Sequence, residues 1–260
     1  MKIIALMMTY NEEFHIEQSI KNIWDFCDEI IAIDTFSQDN TRDILRQFEC
    51  NKFRVIECPI ENTHDIVDQY SGSDVWLFGC NGDELYDKHG LMKLRHKFVA
   101  DKYNEFFRVY GVYLHVIEHD PETNLCKGYF GPPSHNPFKL YNMTHVKSWP
   151  SDGKHSLFLS QDITFKPEWE RVDILPNRSP NSDHWQAARG WGGSLLRVLH
   201  MHFVRRTPAD EESMVGCRLN MEDVLKYGNR HDRGEHDEKN YRLRYKKGEL
   251  HSINASEFFV

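Results

Sequence analysis

An apolar segment, Val75–Cys80, runs directly into the polar sequence Asn81–Glu84. Carboxylates at the tip of a buried strand are costly unless something positive lies beside them. Asn81 and Asp83 can present two side-chain oxygens to one hard cation, with Glu84 next to them, and such a cation could carry a phosphorylated ligand. Asn-Gly is also a strong turn signal, so a turn with solvated acids explains the same residues equally well.

The segments that must position this acidic tip alternate between strand and helix over the first hundred residues. Residues 2–8 form a continuous apolar run, which is typical of a parallel strand buried on both faces, and three further strands are predicted at 29–34, 53–58 and 75–80. Between the first two of these segments, apolar residues recur at helical spacing, namely Ile16, Ile20, Ile23, Trp24 and Cys27. The alternation predicts βαβ units and therefore an α/β fold, a mostly parallel sheet flanked by helices.

The second half has a different composition, which predicts a mixed or antiparallel region. Residues 106–117 alternate and are rich in aromatic and β-branched side chains, and further short strands are expected at 138–141 and 157–159. Residues 176–194 are rich in proline, glycine and tryptophan and predict a lid, and the charged residues after Pro208 predict helix. We therefore divide the chain into three parts, 1–105, 106–207 and a helical C-terminal extension, 208–260.

Composition and charge argue against several classes of protein. The chain has 260 residues, a net charge of -8 and a pI near 6.0, whereas a protein that binds nucleic acid through phosphate contacts is normally basic. No apolar run is long enough to span a bilayer, and the apolar start lacks a small-residue cleavage site, so we expect a core strand there rather than a signal peptide. The six cysteines form no CxxC pair, which favours buried thiols and a reducing, cytoplasmic location.

The polar clusters of the first half all follow predicted strands. They are Thr9–Glu12, Asp34–Asp39 and Asn81–Glu84. The carboxyl ends of parallel strands form the ligand edge of such a sheet. Neither a Rossmann glycine fingerprint nor a P-loop follows the first strand, so a metal is the natural way to hold phosphate here. Asp34 could accept a hydrogen bond from a ribose or a base imide, or it could form an Asx turn or helix cap, a role that suits Asp39 better.

Three strings, Met8–Glu13, Ile31–Thr41 and Asn81–Glu84, resemble in order, spacing and position the family-2 glycosyltransferases, which have the GT-A fold. The resemblance covers roughly residues 1–100. It implies that 1–105 is the nucleotide-sugar-binding half and that 106–207 is the acceptor-binding, catalytic half of the same domain.

The resemblance also implies roles for individual residues. Thr9, Tyr10 and Glu12 would line the nucleotide pocket, Asp34 would bind the base, Ser37 and Asp39 would shape the following turn, and Asp83 would be the main metal-binding acid. This chain departs from the family pattern at Asn81, where the family has Asp. Asparagine keeps a carbonyl oxygen but loses the charge, so Asn81 either binds the metal more weakly or contacts the sugar. Glu84 fits an Asp-x-Asp-Glu variant found in part of the family.

The second half should supply a base and the remaining ligands. Asp152 or His155 could deprotonate an acceptor hydroxyl, although a turn followed by a structural histidine explains them as well. His200 and His202 share one face of a strand, and His202 would complete the metal shell, as a late histidine does in many GT-A enzymes. Arg205, or its neighbour Arg206, could neutralise a diphosphate.

These residues together predict a metal-dependent glycosyltransferase of glycan biosynthesis. It would use Mn²⁺ or Mg²⁺ and a nucleotide-diphosphate sugar, act on a glycan or another hydroxyl acceptor, and invert the anomeric centre by family analogy. One alternative is a sugar nucleotidyltransferase, which normally shows a glycine-rich basic loop where this chain has Thr9–Glu12. The other is a degenerate GT-A fold that binds without turnover, an alternative that Asn81 keeps open.

Overall fold

The computed structural model describes residues 1–59, 62–100, 103–130, 138–150, 163–167, 173–174, 191–201, 204–208 and 250–259. The elements in chain order are β1 (Lys2–Thr9), α1 (Ile16–Ile23), β2 (Glu29–Asp34), α2 (Thr41–Gln47), β3 (Phe53–Glu57), α3 (His64–Asp68), β4 (Val75–Asn81), β5 (Glu84–Tyr86), α4 (Lys88–Val99), β6 (Arg108–Tyr110), β7 (Val112–Asp120), β8 (Leu125–Phe130), β9 (Phe138–Asn142), β10 (Val146–Ser148), β11 (Thr164–Phe165), β12 (Asp173–Ile174), β13 (Arg197–His200) and β14 (His251–Asn254).

The main sheet has seven strands in the order β12-β6-β9-β4-β1-β2-β3. The strands β1 to β4 are parallel, as the alternation of strands and helices predicts, and β9 joins the sheet antiparallel to β4. The register places Thr9 opposite Asp34 and Met8 opposite Asn81. The three polar clusters therefore lie side by side at one edge of the sheet, with β1 in the middle.

Apolar side chains cover both faces of the main sheet. One cluster joins α1 and α4 to the sheet and includes Ile20, Phe26 and Phe78, whose two phenyl rings meet edge to face at 5.2 Å. A second cluster on the other face is centred on Phe107, Tyr141 and Trp149. Both faces are thus buried, which fixes the positions of the strand ends.

A second sheet, in the order β14-β8-β7-β13-β5, packs around its own apolar cluster. Its edge strand β5 follows the acidic sequence directly, so the turn between β4 and β5 connects the two sheets. The remaining sheet is the β10-β11 pair.

Residues 250–259 are tied to the first helix by Asn22. Its carboxamide oxygen accepts a hydrogen bond from Tyr86 N at 2.8 Å, and its amide donates to the carbonyls of Tyr86 at 2.9 Å and Phe258 at 2.8 Å. The Phe258 ring stacks on Trp191 with centroids 5.8 Å apart. One buried amide thus joins α1, β5 and the segment after β14.

The α/β fold with its mixed second region, expected from the sequence, is confirmed. The segments predicted at 157–159 and over most of the 176–194 lid lie outside the described residues, as do residues 209–249 of the predicted helical extension. Within that extension β14 is a strand, which pairs antiparallel with β8. The described cysteines are all free thiols: Cys27, Cys50, Cys58, Cys80 and Cys126. None of the described helices has the length and apolar character that crossing a membrane requires.

Candidate functional site

Asp34, at the end of β2, lies fully buried and binds the loops around it. Its Oδ2 accepts hydrogen bonds from Thr9 Oγ1 at 3.1 Å and from Ser37 Oγ at 2.5 Å, and its Oδ1 accepts from Ser37 N at 2.8 Å. This is the turn-forming role that the sequence left open for Asp34. Its contact with a nucleotide base stays a prediction.

The loop after β1 is fixed to the loop after β2. Asn11 has a positive φ of 53°, a conformation that asparagine tolerates better than most residues. Its backbone N donates to Ser37 Oγ at 2.9 Å, and its side-chain oxygen accepts from Gln38 N at 2.8 Å. Tyr10 beside it is 46% exposed. These hydrogen bonds hold the loops after β1 and β2 together, and Tyr10 lies exposed beside them.

Asp39 forms an Asx turn just before α2, because its Oδ1 accepts from Thr41 N at 3.0 Å. The N-cap position of α2 is Asn40, whose side chain makes no capping hydrogen bond. Asp39 Oδ2 accepts from Glu13 N at 3.2 Å. Asp39 thus shapes the turn after β2 and holds the first loop against it.

Glu12 is buried and faces an arginine from the far end of the chain. Arg206 Nη1 lies 3.1 Å from Glu12 Oε1, and both side chains are nearly inaccessible. Arg205 is exposed instead, and its guanidinium donates to the carbonyls of Thr207 and Pro208. Of the two arginines named from the sequence, Arg206 is the one beside a predicted pocket residue. The donor-binding role of Arg205 stays a prediction.

The acidic turn after β4 is held by its backbone. Gly82 N donates to Met8 O at 3.0 Å, Ser19 Oγ donates to Gly82 O at 2.7 Å, and Met201 N donates to Asp83 O at 2.9 Å. A Cβ on Gly82 would lie 2.9 Å from Glu12 Cγ, so the turn packs directly on the Glu12 side chain. The carboxylate of Asp83 therefore projects from a fixed position.

Two histidines stand next to Asp83. His200 Nε2 lies 3.4 Å from Asp83 Oδ2, and His200 Nδ1 lies 3.0 Å from His115 Nδ1. The pair arises because His200 and His115 are register partners on the parallel strands β13 and β7. Because each of the two Nδ1 atoms faces the other, one imidazole must donate and the other accept.

A third histidine, His15, lies at the N-cap of α1 and interacts electrostatically with Asp83. Burial lowers the pKa of His15, and attraction to the Asp83 carboxylate offsets only part of that effect. Neutral His15 therefore adds no positive charge beside Asp83 near neutral pH.

Glu84 is fully buried and ion-paired with Lys139. Lys139 Nζ lies 2.9 Å from Oε1 and 2.8 Å from Oε2. Burial raises the pKa of Glu84, but attraction to Lys139 and His200 and the hydrogen bond from Lys139 together outweigh burial and leave that pKa lowered. Glu84 is therefore a charged carboxylate in the interior.

The donor set around Asp83 suits a divalent cation in part. A carboxylate oxygen and an imidazole nitrogen 3.4 Å apart have the spacing of two ligands on one ion, and both atom types bind Mn²⁺. Among the described residues, however, no group of three or more His, Cys, Asp or Glu side chains is close enough to hold a metal. A cation would thus need further ligands, such as phosphate oxygens and water.

Three predicted site residues, Asp152, His155 and His202, lie outside the described residues, and their roles stay predictions. The structure brings Thr9, Glu12, Asp34, Ser37 and Asp83 together at one edge. Lys139, Tyr113 and His115 belong to the same region and were not anticipated from the sequence.

Comparison with known proteins gives one match to a family. Residues 4–114 match Glycosyl transferase family 2. No protein of curated function matches the chain. Among solved structures, glucosyl-3-phosphoglycerate synthase from Mycobacterium tuberculosis is similar, in a complex with Mn²⁺, uridine-diphosphate and glucosyl-3-phosphoglycerate, at 18% identity and a TM-score of 0.32 over 43% of this chain and 44% of that one.

The same synthase in complex with uridine-diphosphate is 18% identical, with a TM-score of 0.32 over 45% of this chain and 46% of that one. This chain thus spans less than half the length of the solved structures it matches. The family match covers β1 to β6 and the first residues of β7, and with them all three strand-end motifs. Residues 4–114, here called the family-2 segment, are therefore similar to glycosyl transferase family 2.

Proposed function

We propose that the protein is a glycosyltransferase that moves a sugar, a hexose or a related one, from a nucleotide-diphosphate sugar to an acceptor hydroxyl. One observation carries the proposal. The three motifs of the family-2 segment end adjacent parallel strands, so that Asp34 and Asp83 flank β1 at the ligand edge of the sheet.

The donor would lie along this edge. The nucleoside would occupy the unit formed by the loops after β1 and β2, with Tyr10 exposed beside it and Asp34 and Ser37 beneath. The diphosphate would point towards Asp83, and Asn81 and Arg205 would also contact the donor. Asp83 is fully buried in this structure, so binding requires the side chains that cover it to move aside.

A divalent metal, Mn²⁺ or Mg²⁺, is part of the proposal. Asp83 would hold it together with His200 or His202, and the bound ion would neutralise charge on the leaving diphosphate. His115 would orient His200 through the contact between their Nδ1 atoms.

The acceptor side is proposed from the sequence. Asp152 or His155 would accept the proton of the acceptor hydroxyl, which would belong to a glycan or to another hydroxyl acceptor in a cytoplasmic pathway of glycan synthesis. Attack in line with the departing diphosphate would invert the anomeric centre. The donor edge and this base would then serve opposite sides of one carbon.

A donor screen by thermal shift tests the proposal. With Mn²⁺ present, one uridine- or guanosine-diphosphate sugar should raise the melting temperature, because a ligand that binds only the folded state stabilises it. Asp83→Ala should abolish that shift and any hydrolysis of the donor. The matched control Asp43→Ala, an exposed acid on α2, should retain both.

Two outcomes would contradict the proposal in different ways. No shift with any nucleotide sugar would remove the donor site. Binding of a donor without transfer or hydrolysis would indicate the degenerate binding module, and diphosphate release from a nucleoside triphosphate and a sugar phosphate would indicate a nucleotidyltransferase.

A further inference from the structure

The carboxylate of Glu84 is saturated by protein donors. Oε1 accepts from Asn81 Nδ2, Tyr113 Oη and Lys139 Nζ, and Oε2 accepts from Asn81 N, Tyr86 Oη and Lys139 Nζ. A carboxylate offers about four lone-pair sites, so these contacts use its whole capacity. Glu84 therefore has no oxygen left for a cation, although it stands next to Asp83 in the sequence.

The amide at position 81 is needed by this arrangement. Asn81 Nδ2 lies 2.9 Å from Glu84 Oε1, and its backbone N lies 3.0 Å from Oε2. Because a carboxylate only accepts, the NH₂ group of Asn81 must face Glu84. An aspartate in its place would set two carboxylates against each other at this distance, where like charges repel strongly.

The donors to Glu84 come from both sheets. Lys139 lies on β9 of the main sheet, whereas Tyr113 and Tyr86 lie on β7 and β5 of the second sheet. All three side chains are buried. Glu84 thus ties the end of β4 to strands on either side, and Asp83 lies in the short turn whose two ends, Asn81 and Glu84, bond to each other.

We infer that Glu84, Lys139, Tyr113 and Tyr86 form a positioning cluster that fixes the place of the Asp83 carboxylate, and that the amide NH₂ of Asn81 belongs to this cluster. The inference rests on the proposed function, because it takes Asp83 as the donor-site acid. In this chain the first acid of the family pattern is replaced by a side chain whose amide donates to Glu84.

Asn81→Asp separates this inference from the opposite one. If position 81 faced the cation, the added carboxylate would tighten Mn²⁺ binding. The positioning cluster predicts the reverse: repulsion from Glu84 displaces the turn, and Mn²⁺ binding in the presence of the nucleoside diphosphate weakens by about tenfold, the effect of roughly one broken charge-assisted contact. Electron paramagnetic resonance of free Mn²⁺ measures the affinity. Tighter binding by Asn81→Asp would overturn the inference.

Tyr113→Phe is the milder variant and keeps the test informative if Asn81→Asp fails to fold. It removes one hydroxyl from Glu84 and should weaken Mn²⁺ affinity and raise the donor KM by roughly fivefold, with the acceptor KM unchanged. Tyr103→Phe, which removes a hydroxyl bound to Lys97 at 2.8 Å, is the matched control and should leave both values unchanged. The measurements are made well below each melting temperature, so that a merely structural defect would not move them.

Measurements on the wild-type protein distinguish a failure of the proposed function from a failure of the positioning cluster alone. If it binds neither Mn²⁺ nor any nucleotide sugar, the proposed function fails and the inference fails with it. If it binds both, and folded Tyr113→Phe binds them with wild-type affinity, the inference alone is wrong.

Discussion

Two buried carboxylates stand on either side of β1 and are held in different ways. Asp34 accepts hydrogen bonds from Thr9 and Ser37 alone among the described contacts, all neutral groups within the family-2 segment. Glu84 is held by the Lys139 ammonium, which lies beyond that segment. One side of this sheet edge is therefore held by contacts within the family-2 segment, and the other depends on the rest of the chain.

This difference shows where the second half of the chain acts on the site. Neutral hydrogen bonds within a loop give a modest net stability, about 1 kcal/mol each. A buried ion pair responds much more strongly when one partner is lost, because the remaining charge stays in the interior. The acidic turn should thus be the more sensitive of the two sides.

The largest effect is expected for Lys139→Met. Removing the ammonium leaves Glu84 buried without its cation and should lower the free energy of unfolding by about 3–5 kcal/mol, measured by urea denaturation. Lys127→Met removes an exposed lysine paired with Glu118 at 2.8 Å and should cost at most about 1 kcal/mol. Equal losses of unfolding free energy in Lys139→Met and Lys127→Met would show that the buried ion pair is no more sensitive than an exposed one.

Adding Glu84→Gln to Lys139→Met sharpens the same test. The double variant carries no buried charge at the turn, so it should recover part of the lost stability. A double variant no more stable than Lys139→Met would mean that packing, and not the charge, causes the loss.

An intermediate effect is expected for Ser37→Ala. The change removes the hydroxyl that donates to Asp34 and accepts from Asn11 N, and the unfolding free energy should fall by about 1–3 kcal/mol. Ser71→Ala, an exposed hydroxyl bound to Asp68, is the control and should be near neutral. A loss as large as that of Lys139→Met would show that the neutral cluster is as sensitive as the charged one.

The smallest effect concerns Asp28, a partly exposed acid just before β2 that pairs with Arg95 at 2.6 Å. Burial raises the pKa of Asp28, but hydrogen bonds from Arg95 and from Ile3 N outweigh it and leave the pKa lowered. The contribution of Asp28 to stability is therefore present above the ordinary aspartate pKa of about 3.9 and is lost as the pH falls through the lower folded-state value.

Asp28→Asn should accordingly flatten the fall of the melting temperature over that acid range, by a small amount because solvent screens the pair. Scans of melting temperature against pH measure it. If the fall of the melting temperature at acid pH were the same in Asp28→Asn as in the wild type, the pKa of Asp28 would be equal in the folded and unfolded states.

Much of the fold could be predicted because strands and helices alternate regularly over the first hundred residues. Four segments rich in apolar residues predicted β1 to β4, and a parallel sheet then had to bring their carboxyl ends together. That logic also placed Thr9, Asp34 and Asp83 at one edge. The strand β14 was not predicted, since the charged composition around it favours helix and its partner β8 lies far away in sequence.

The contacts of Glu84 could be predicted only in part. Glu84 and Tyr86 are two residues apart on one strand, and this spacing puts them on one face, a signal that was available. Lys139 lies in the alternating sequence Phe138–Asn142, where a lysine usually faces solvent. No sequence periodicity predicts that Lys139 contacts Glu84, because the two residues lie on different strands that are far apart in the sequence. Likewise Arg206, and not Arg205, turns inward at a point outside any strand or helix, where no periodicity applies.

The hydrogen bond between the Asn22 amide and Phe258 can form only late in the synthesis of the chain. This bond joins residues 236 positions apart, so the first helix obtains this partner only after nearly all of the described chain has been made. At about 5–20 residues per second, that interval is roughly ten to fifty seconds of synthesis. Until Phe258 has been made the amide of Asn22 lacks this acceptor, and until Lys139 has been made Glu84 lacks its cation.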